Sequence, residues 1–473
     1  MGEVARRSRE TGPTPSDPAR ALDLLLGADG QELLGALAAG NRVDPGTELA
    51  VGQRLRARYT PELISAVLAQ HDLRVRAMAK FSRAERLYLT RDGLEQASSE
   101  PVAQHRAARY AGVELVVDLC AGIGGDLLAL AAGRAALAVD VDPVHLRMAL
   151  RNAREYGAQD LAGACADVRE LRLDGLPAVF VDPARRAAGR RLPPGASEPP
   201  LGWCLALGER VGAVGVKAAP GLSLELVPEG WEVELIADRR ELKEAALWSP
   251  ALATAPRRAT VLAGPCGPAG PDGAAAPGAG RPGNRGGAGG AGRSPVAHTL
   301  AGRGSGAAQG RGSGAARGRR ARGGGGQEGR ARGGGGQEGG WGWEGDPVPY
   351  GAPGAYLLDP NPAVTRAGLV EELARDLGAW KIDRRVGFLS ADQPLETPFG
   401  RLLVVEESMP WGLKRLRAAL RSRGVGAVQI RKRGSAVEVE DLRRRLDLRG
   451  DRQATVVLTR VFDRPWALIC REP

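Results

Sequence analysis

Residues 116–126, VVDLCAGIGGD, decide the fold. Aliphatic residues lead up to Asp118, glycines follow at 122, 124 and 125, and LLALAAG then continues with helical character. Glycines after a strand let the backbone pass close to a ligand where a Cβ would collide. Three more short apolar runs follow in order, each closing on an acidic residue or a turn: AVDVDP at 138–143, ADVREL at 166–171 and VFVDPARR at 179–186. Parallel strands whose carboxyl ends line one crevice have this pattern. PVHLRMALRNAREYG, at 143–157, supplies a helix between two of them. Such alternation predicts an α/β domain, a parallel sheet with helices on both faces.

Upstream, residues 1–18 are polar and contain proline, and are expected to be a disordered tail. From 19 to 100 the pattern is helical: ALDLLLGADGQELLGALAAG and TPELISAVLAQHDLRVRAMAKF space apolar residues three and four apart. Thr60 is a natural N-cap, with Pro61 at the first helical position and Glu62 behind it. The α/β domain is expected over 101–264, VGAVGVKAAPG forming a fifth strand and WEVELIAD with RRATVLAG a closing pair.

At Pro265 the composition breaks. About thirty of the 68 glycines fall in 265–345, and RARGGGGQEG occurs twice in tandem at 320–339. Too little apolar surface is present there to offset the entropy of ordering, so 265–345 reads as a Gly/Arg-rich disordered linker. Expansion of GC-rich DNA by slippage explains it more readily than a role in RNA binding. One island, SPVAHTLAG at 294–302, is apolar enough for a strand or a docked turn. Order returns over 346–473 as an α+β module: an amphipathic helix in AVTRAGLVEELARDLGAW, a strand in LLVVEE, a basic helix in LKRLRAALRSRG closed by Gly424, and a strand in ATVVLTRVF.

The 473 residues carry a formal charge of +11. Eleven Arg against four acids make the linker alone +7, so the remainder is weak evidence for a global basic field. Five cysteines without CxxC spacing argue against a disulfide framework and against zinc, and no metal is expected. No apolar segment follows Arg6, Arg7 and Arg9, and no run approaches the ~18 apolar residues of a membrane helix. A cytoplasmic location without membrane contact is the expectation.

The chemistry lies in the four motifs. Asp140 ends the second strand 18 residues beyond Gly122, where an acid accepts both hydroxyls of a ribose. Asp142 stands close by, but Asp140 ends the apolar run. A nicotinamide dinucleotide is the competing ligand. A diphosphate, however, favours a loop opening directly on helix amides, and here Asp118 and Asp126 flank the loop with negative charge. That charge suits a ligand bearing a sulfonium and an ammonium.

The ordered series resembles motifs one to four of the class I S-adenosylmethionine (SAM)-dependent methyltransferases. The resemblance implies a Rossmann-like domain and a cofactor site of Asp118, Cys120, Gly122, Gly124, Asp140 and Asp167, the last receiving the adenine amino group. Asp182-Pro183-Ala184-Arg185 takes the place of the fourth motif, which in base-amine methyltransferases reads Asp/Asn/Ser-Pro-Pro-aromatic. There the acid and a backbone carbonyl hold the exocyclic amine. Asp182, Pro183 and Arg185 are therefore the candidate catalytic residues, with the Arg185 plane able to stack on a base. A DPPR variant occurs in uracil-C5 methyltransferases, which need a cysteine nucleophile; Cys204, in GWCLAL, reads instead as a buried helix residue.

Residues 98–186 resemble the trimethylguanosine-synthase branch, through the GxGG loop, AVDVDP and RNAREYG. Nearly the whole chain apart from the linker resembles actinobacterial methyltransferases with a C-terminal THUMP-like domain, through TRDGLEQAS, VAQHRAARY, DPARR, VKAAPG and IRKRG. In the wider superfamily THUMP domains deliver tRNA or rRNA to a modification domain. Arg415, Arg417, Arg421 and Lys432 are the candidate RNA contacts, on a basic helix and a basic turn that could track a phosphate backbone; a solvated helix face explains them otherwise. The expected activity is methylation of an RNA base in tRNA or rRNA, preferably at an exocyclic amine, with no DNA substrate. The rival readings are a SAM-fold RNA-binding protein without turnover and a small-molecule or protein methyltransferase.

Overall fold

The computed structural model describes residues 17–39, 58–184, 186–187, 190–191, 196–263, 296–302 and 347–473. The expected tail and linker fall almost wholly outside the described residues, as does Arg185. The chain divides into two compact units. The first comprises the chain up to Leu300 with Pro360–Val370 and Glu396–Arg401; the second comprises the rest.

In the first unit, helices α1 (Pro18–Leu26), α2 (Ala28–Ala39) and α3 (Pro61–Ala77) precede α4 (Arg91–Gln96) and α5 (Glu100–Ala107). Pro61 opens α3, and the Thr60 side chain accepts from the Leu63 amide at 3.4 Å, as the Thr-Pro-Glu start leads one to expect. Leu22, Leu25, Leu63 and Val67 share one buried core with Ile123, Leu127 and Leu146. The N-terminal helices are thus built into the face of the domain that carries the glycine turn.

The sheet has nine strands. They are β1 (Leu115–Leu119), β2 (Ala135–Asp140), β3 (Leu161–Cys165), β4 (Ala178–Val181), β7 (Ala213–Ala218), β8 (Glu232–Asp238), β9 (Glu241–Trp248), β10 (Arg257–Ala263) and β11 (Val296–Ala301). A separate two-stranded ribbon pairs β5 (Arg186–Ala187) with β6 (Arg190–Arg191). The large sheet runs β11-β10-β8-β9-β7-β4-β1-β2-β3. From β3 across to β7 all pairings are parallel. The sheet is not parallel throughout, however. β9 lies antiparallel between β7 and β8, and the expected closing pair, β8 and β10, pair parallel beyond it. Sequence reading passed over β9 because its first half, ELKE, is polar, although Glu244 and the AALW behind it are buried. Within the island at 294–302, Val296–Ala301 form a strand on the sheet's edge. Helices α6 (Leu127–Leu130), α7 (Pro143–Glu155) and α8 (Leu201–Ala206) complete the crossovers.

In the second unit a seven-stranded sheet runs β13-β14-β12-β15-β18-β17-β16. These strands are β12 (Tyr356–Pro360), β13 (Trp380–Lys381), β14 (Leu389–Ala391), β15 (Gly400–Pro410), β16 (Val425–Lys432), β17 (Arg452–Val461) and β18 (Arg464–Arg471). Alternate residues of β17 serve two cores: Val456 and Leu458 pack with Leu416, Leu420, Leu442 and Leu446, whereas Val457 and Val461 pack with Leu357, Ile382 and Phe388. The single helix expected in AVTRAGLVEELARDLGAW is two, α9 (Pro362–Ala367), which belongs to the first unit, and α10 (Val370–Leu377). Gly368, at φ 74°, ends α9 in the left-handed conformation and returns its amide to Thr365 and Val364. The basic helix is α11 (Leu413–Ser422), and α12 (Val439–Leu446) follows. No helix among the described residues is long and apolar enough to cross a membrane.

Candidate functional site

The carboxyl ends of β1, β2, β4 and β7 bring four charged side chains together: Asp118, Asp140, Asp182 and Lys217. Adjacent parallel strands set this placement. Asp118 pairs in register with Ala138 on one side and Phe180 on the other, and Asp182 donates its amide to the Leu119 carbonyl at 3.2 Å.

The glycine turn is rigidly defined. Gly124, at φ 86°, stands where a Cβ would approach the Ala149 Cα to 2.8 Å, so no other residue fits between the turn and α7. Gly122, at φ 54°, has open space where its Cβ would be, and Cys120, at φ 63°, holds a left-handed conformation unusual for a side chain of its kind. Asn152 locks the turn from behind. Its amide donates to the Ile123 carbonyl at 2.8 Å and the Tyr88 carbonyl at 2.9 Å, and its oxygen accepts from the Tyr88 amide.

Asp140 accepts the Gly122 amide on Oδ2 at 2.7 Å and the Asp142 amide on Oδ1 at 2.8 Å. A carboxylate has further lone pairs, so hydroxyl donors can still be received there. Asp142 is committed elsewhere, capping α7 through the Val144 and His145 amides. Asp118 is the opposite case. It is fully buried, and neither of its oxygens has a hydrogen-bond partner among the described residues. Burial, reinforced by Asp126 and Asp182, raises its carboxyl well above the usual range. An orphaned buried acid, with Asp140 and Asp182 near it, could hold a cationic ligand.

Two expectations meet a different environment. Asp126 does not offer its charge to the loop: it is ion-paired with buried Arg106, which also binds Glu244 and donates to the Ser98 hydroxyl at 2.6 Å. Asp167 is held by Arg169 at 2.6 Å, which brings its carboxyl down to about 2, and Arg169 also reaches Glu198 at 2.6 Å. An adenine amine would have to share that carboxylate with a guanidinium. Cys204 is buried in α8, and burial pushes its thiol up to about 12, far from the thiolate a covalent mechanism requires.

Just past the end of β4, Pro183 is buried and Asp182 half-buried. The Lys217 ammonium donates to Asp182 Oδ2 at 2.6 Å. Sequence reading missed Lys217, although it is the one charge in the apolar run VGAVGVKAA, a signal that could have marked it.

In the second unit, Arg417 is bonded to the Arg445 carbonyl. Arg421 donates to Asp447, and Lys432 lies 3.6 Å from Glu438. Arg415 is exposed and, with its neighbour Lys414, makes no ion pair among the described residues.

Three family profiles match the chain: a domain of unknown function at residues 18–77, RNA cap guanine-N2 methyltransferase at 113–178, and THUMP domain-like at 400–472. Uncharacterized S-adenosylmethionine-dependent methyltransferases of two Mycobacterium tuberculosis strains, CDC 1551 and H37Rv, are each 32% identical over 440 residues, covering 88% of this chain and 99% of theirs. A crystal structure described as a methyltransferase from Porphyromonas gingivalis W83 aligns with a TM-score of 0.56 and 16% identity, over 90% of this chain and 98% of that one. At that identity the likeness concerns the fold.

Proposed function

The chain belongs to the S-adenosylmethionine-dependent methyltransferases, and on that premise we propose that it methylates a base of RNA, in tRNA or rRNA, at an exocyclic amine. The observation that carries the acceptor class is Asp182 with Pro183 at the end of β4. Among the described residues nothing bonds the other Asp182 carboxylate oxygen or the Pro183 carbonyl, which suits a group with two hydrogens to donate. The RNA substrate rests on the profile matches at 113–178 and 400–472.

SAM supplies a methyl activated on a sulfonium: the amine nitrogen bonds the methyl carbon as the carbon–sulfur bond breaks, a neutral thioether leaves, and the surplus amine proton passes to Asp182 or water. The chain's task is then orientation and charge. Asp140 receives the ribose hydroxyls, the open side of Gly122 admits the ligand, and Asp118 answers its positive charge. Asp140→Ala is expected to weaken SAM binding at least about tenfold, or about 1.4 kcal/mol, measured by calorimetry; unchanged affinity contradicts the assignment.

Asp118 adds a pH signature. A carboxyl whose folded value is raised stabilises the fold only while protonated, and costs stability as pH climbs from the unfolded value, about 3.9, through the folded one. Wild type should therefore lose more melting temperature between pH 5 and pH 8 than Asp118→Asn, which stays neutral throughout. Equal pH slopes for the two proteins would remove the basis for this claim. The same carboxyl should ionise against a cationic ligand, so SAM affinity rises with pH in wild type and stays flatter in the variant.

Since Arg417 and Arg421 also tie α11 to the end of α12, Lys414 and Arg415 are the cleaner probes of RNA contact. Their double replacement by Ala should weaken RNA binding and reduce the salt slope by about two units, leaving SAM affinity intact. Filter binding across a salt series decides it; an unchanged slope places RNA elsewhere.

A further inference from the structure

We propose that Lys217 is a positioning residue for the transfer: by holding Asp182 Oδ2 it fixes the carboxylate so that Oδ1 alone meets the acceptor amine. This rests on the reading of Asp182 as the acceptor-side acid.

The pairing is built into the sheet. Val181 of β4 stands in register with Val216 of β7, so the next residues, Asp182 and Lys217, emerge side by side at the carboxyl ends of adjacent strands. The Lys217 side chain is 7% exposed and that of Asp182 27%, the ammonium lying behind and the carboxylate reaching outward. An ammonium is removed from water at a cost of several kcal/mol, which an apolar side chain at this position in AVGVKA would avoid. The anions Asp126 and Glu244 are no substitute partners, because Arg106 already binds both. What the lysine does for Asp182 is geometric. The terminal torsion of an aspartate is broad and two-fold, so a free carboxylate presents either oxygen over a wide range of angles. One charge-assisted hydrogen bond from a strand-borne donor removes that freedom. Burial works against the Lys217 ammonium, but Asp182, Asp126 and Glu244 outweigh it and raise its proton affinity, so it stands as a fixed cation and not as a ready base.

A mutant cycle on the full-length protein tests this, using SAM with a tritiated methyl group and the RNA, protein and small-molecule fractions of cells lacking the gene. Lys217→Met should lower kcat about a hundredfold, the scale of a misplaced reacting group, with the KM for SAM within about twofold. In an Asp182→Asn background, the same replacement should cost less than about threefold, because the residue it positions is already altered. Calorimetric binding of S-adenosylhomocysteine verifies folding, and Lys217→Gln enters the cycle if Lys217→Met fails that check. Full, additive losses in both backgrounds would show that Lys217 acts independently, as a base for a hydroxyl acceptor would, and overturn the proposal. So would wild-type turnover by both lysine variants. Label arriving in protein or small molecules instead of RNA would refute the RNA reading, while the cycle, measured in that fraction, still decides the role of Lys217.

Discussion

Arg106→Met is expected to destabilise the protein by about 3–5 kcal/mol, the cost of stripping one partner from a buried ion pair. Arg106 is 1% exposed, joins Asp126 to Glu244, donates to the Ser98 hydroxyl and lies 5.0 Å over the Phe180 ring. Without the guanidinium, two carboxylates stay buried in each other's field. Lysine cannot restore the fork that serves three acceptors, so Arg106→Lys should recover only part of the loss. Urea unfolding should show a lower midpoint with an unchanged slope. A loss below about 1 kcal/mol, the range of exposed ion pairs, would mean that the network is not the internal brace its burial implies. Because Asp126 closes the glycine turn, the same variant should also bind SAM more weakly.

Asp182→Ala is expected to lower turnover by about 10²–10⁴, the range contributed by a positioned acid–base group. Asp182→Asn, which keeps an oxygen acceptor, should retain part of the activity. Cys204→Ala should be nearly neutral, since its buried thiol is held up to about 12 and α8 keeps it away from solvent. SAM affinity should survive all three replacements. A covalent RNA adduct trapped with a 5-fluoropyrimidine substrate and abolished by Cys204→Ala would transfer the chain to the ring-carbon class.

What could be read from the sequence follows a physical divide. Strands β1, β2 and β4 were legible because each apolar run ends on an acid, and an acid at the end of a buried run has few structural uses. β9 was not, because ELKE reads as a polar helix until the strands on either side are known. Gly368 splits one apparent helix because periodicity continues across it while the backbone does not. The acids around the site were visible singly, but their partners were not. Arg106 meets Asp126 from 20 residues away and Glu244 from 138, and Lys217 meets Asp182 from 35. A lone cation inside the apolar run VGAVGVKAA could mark Lys217, but its anion is known only once the sheet brings β4 and β7 alongside. The Asp167–Arg169 pair, only two residues apart, was open to inspection and shows that an acid in a motif position can already be occupied.

The most direct test of the whole account is nucleoside mass spectrometry of RNA from a strain lacking the gene, after incubation of the purified protein with SAM carrying a deuterated methyl group. The account expects one base nucleoside to gain the label on an exocyclic amine, in tRNA or rRNA, with the signal lost in Asp182→Ala. Label on a ribose oxygen or a ring carbon, or confined to protein or small molecules, would contradict it.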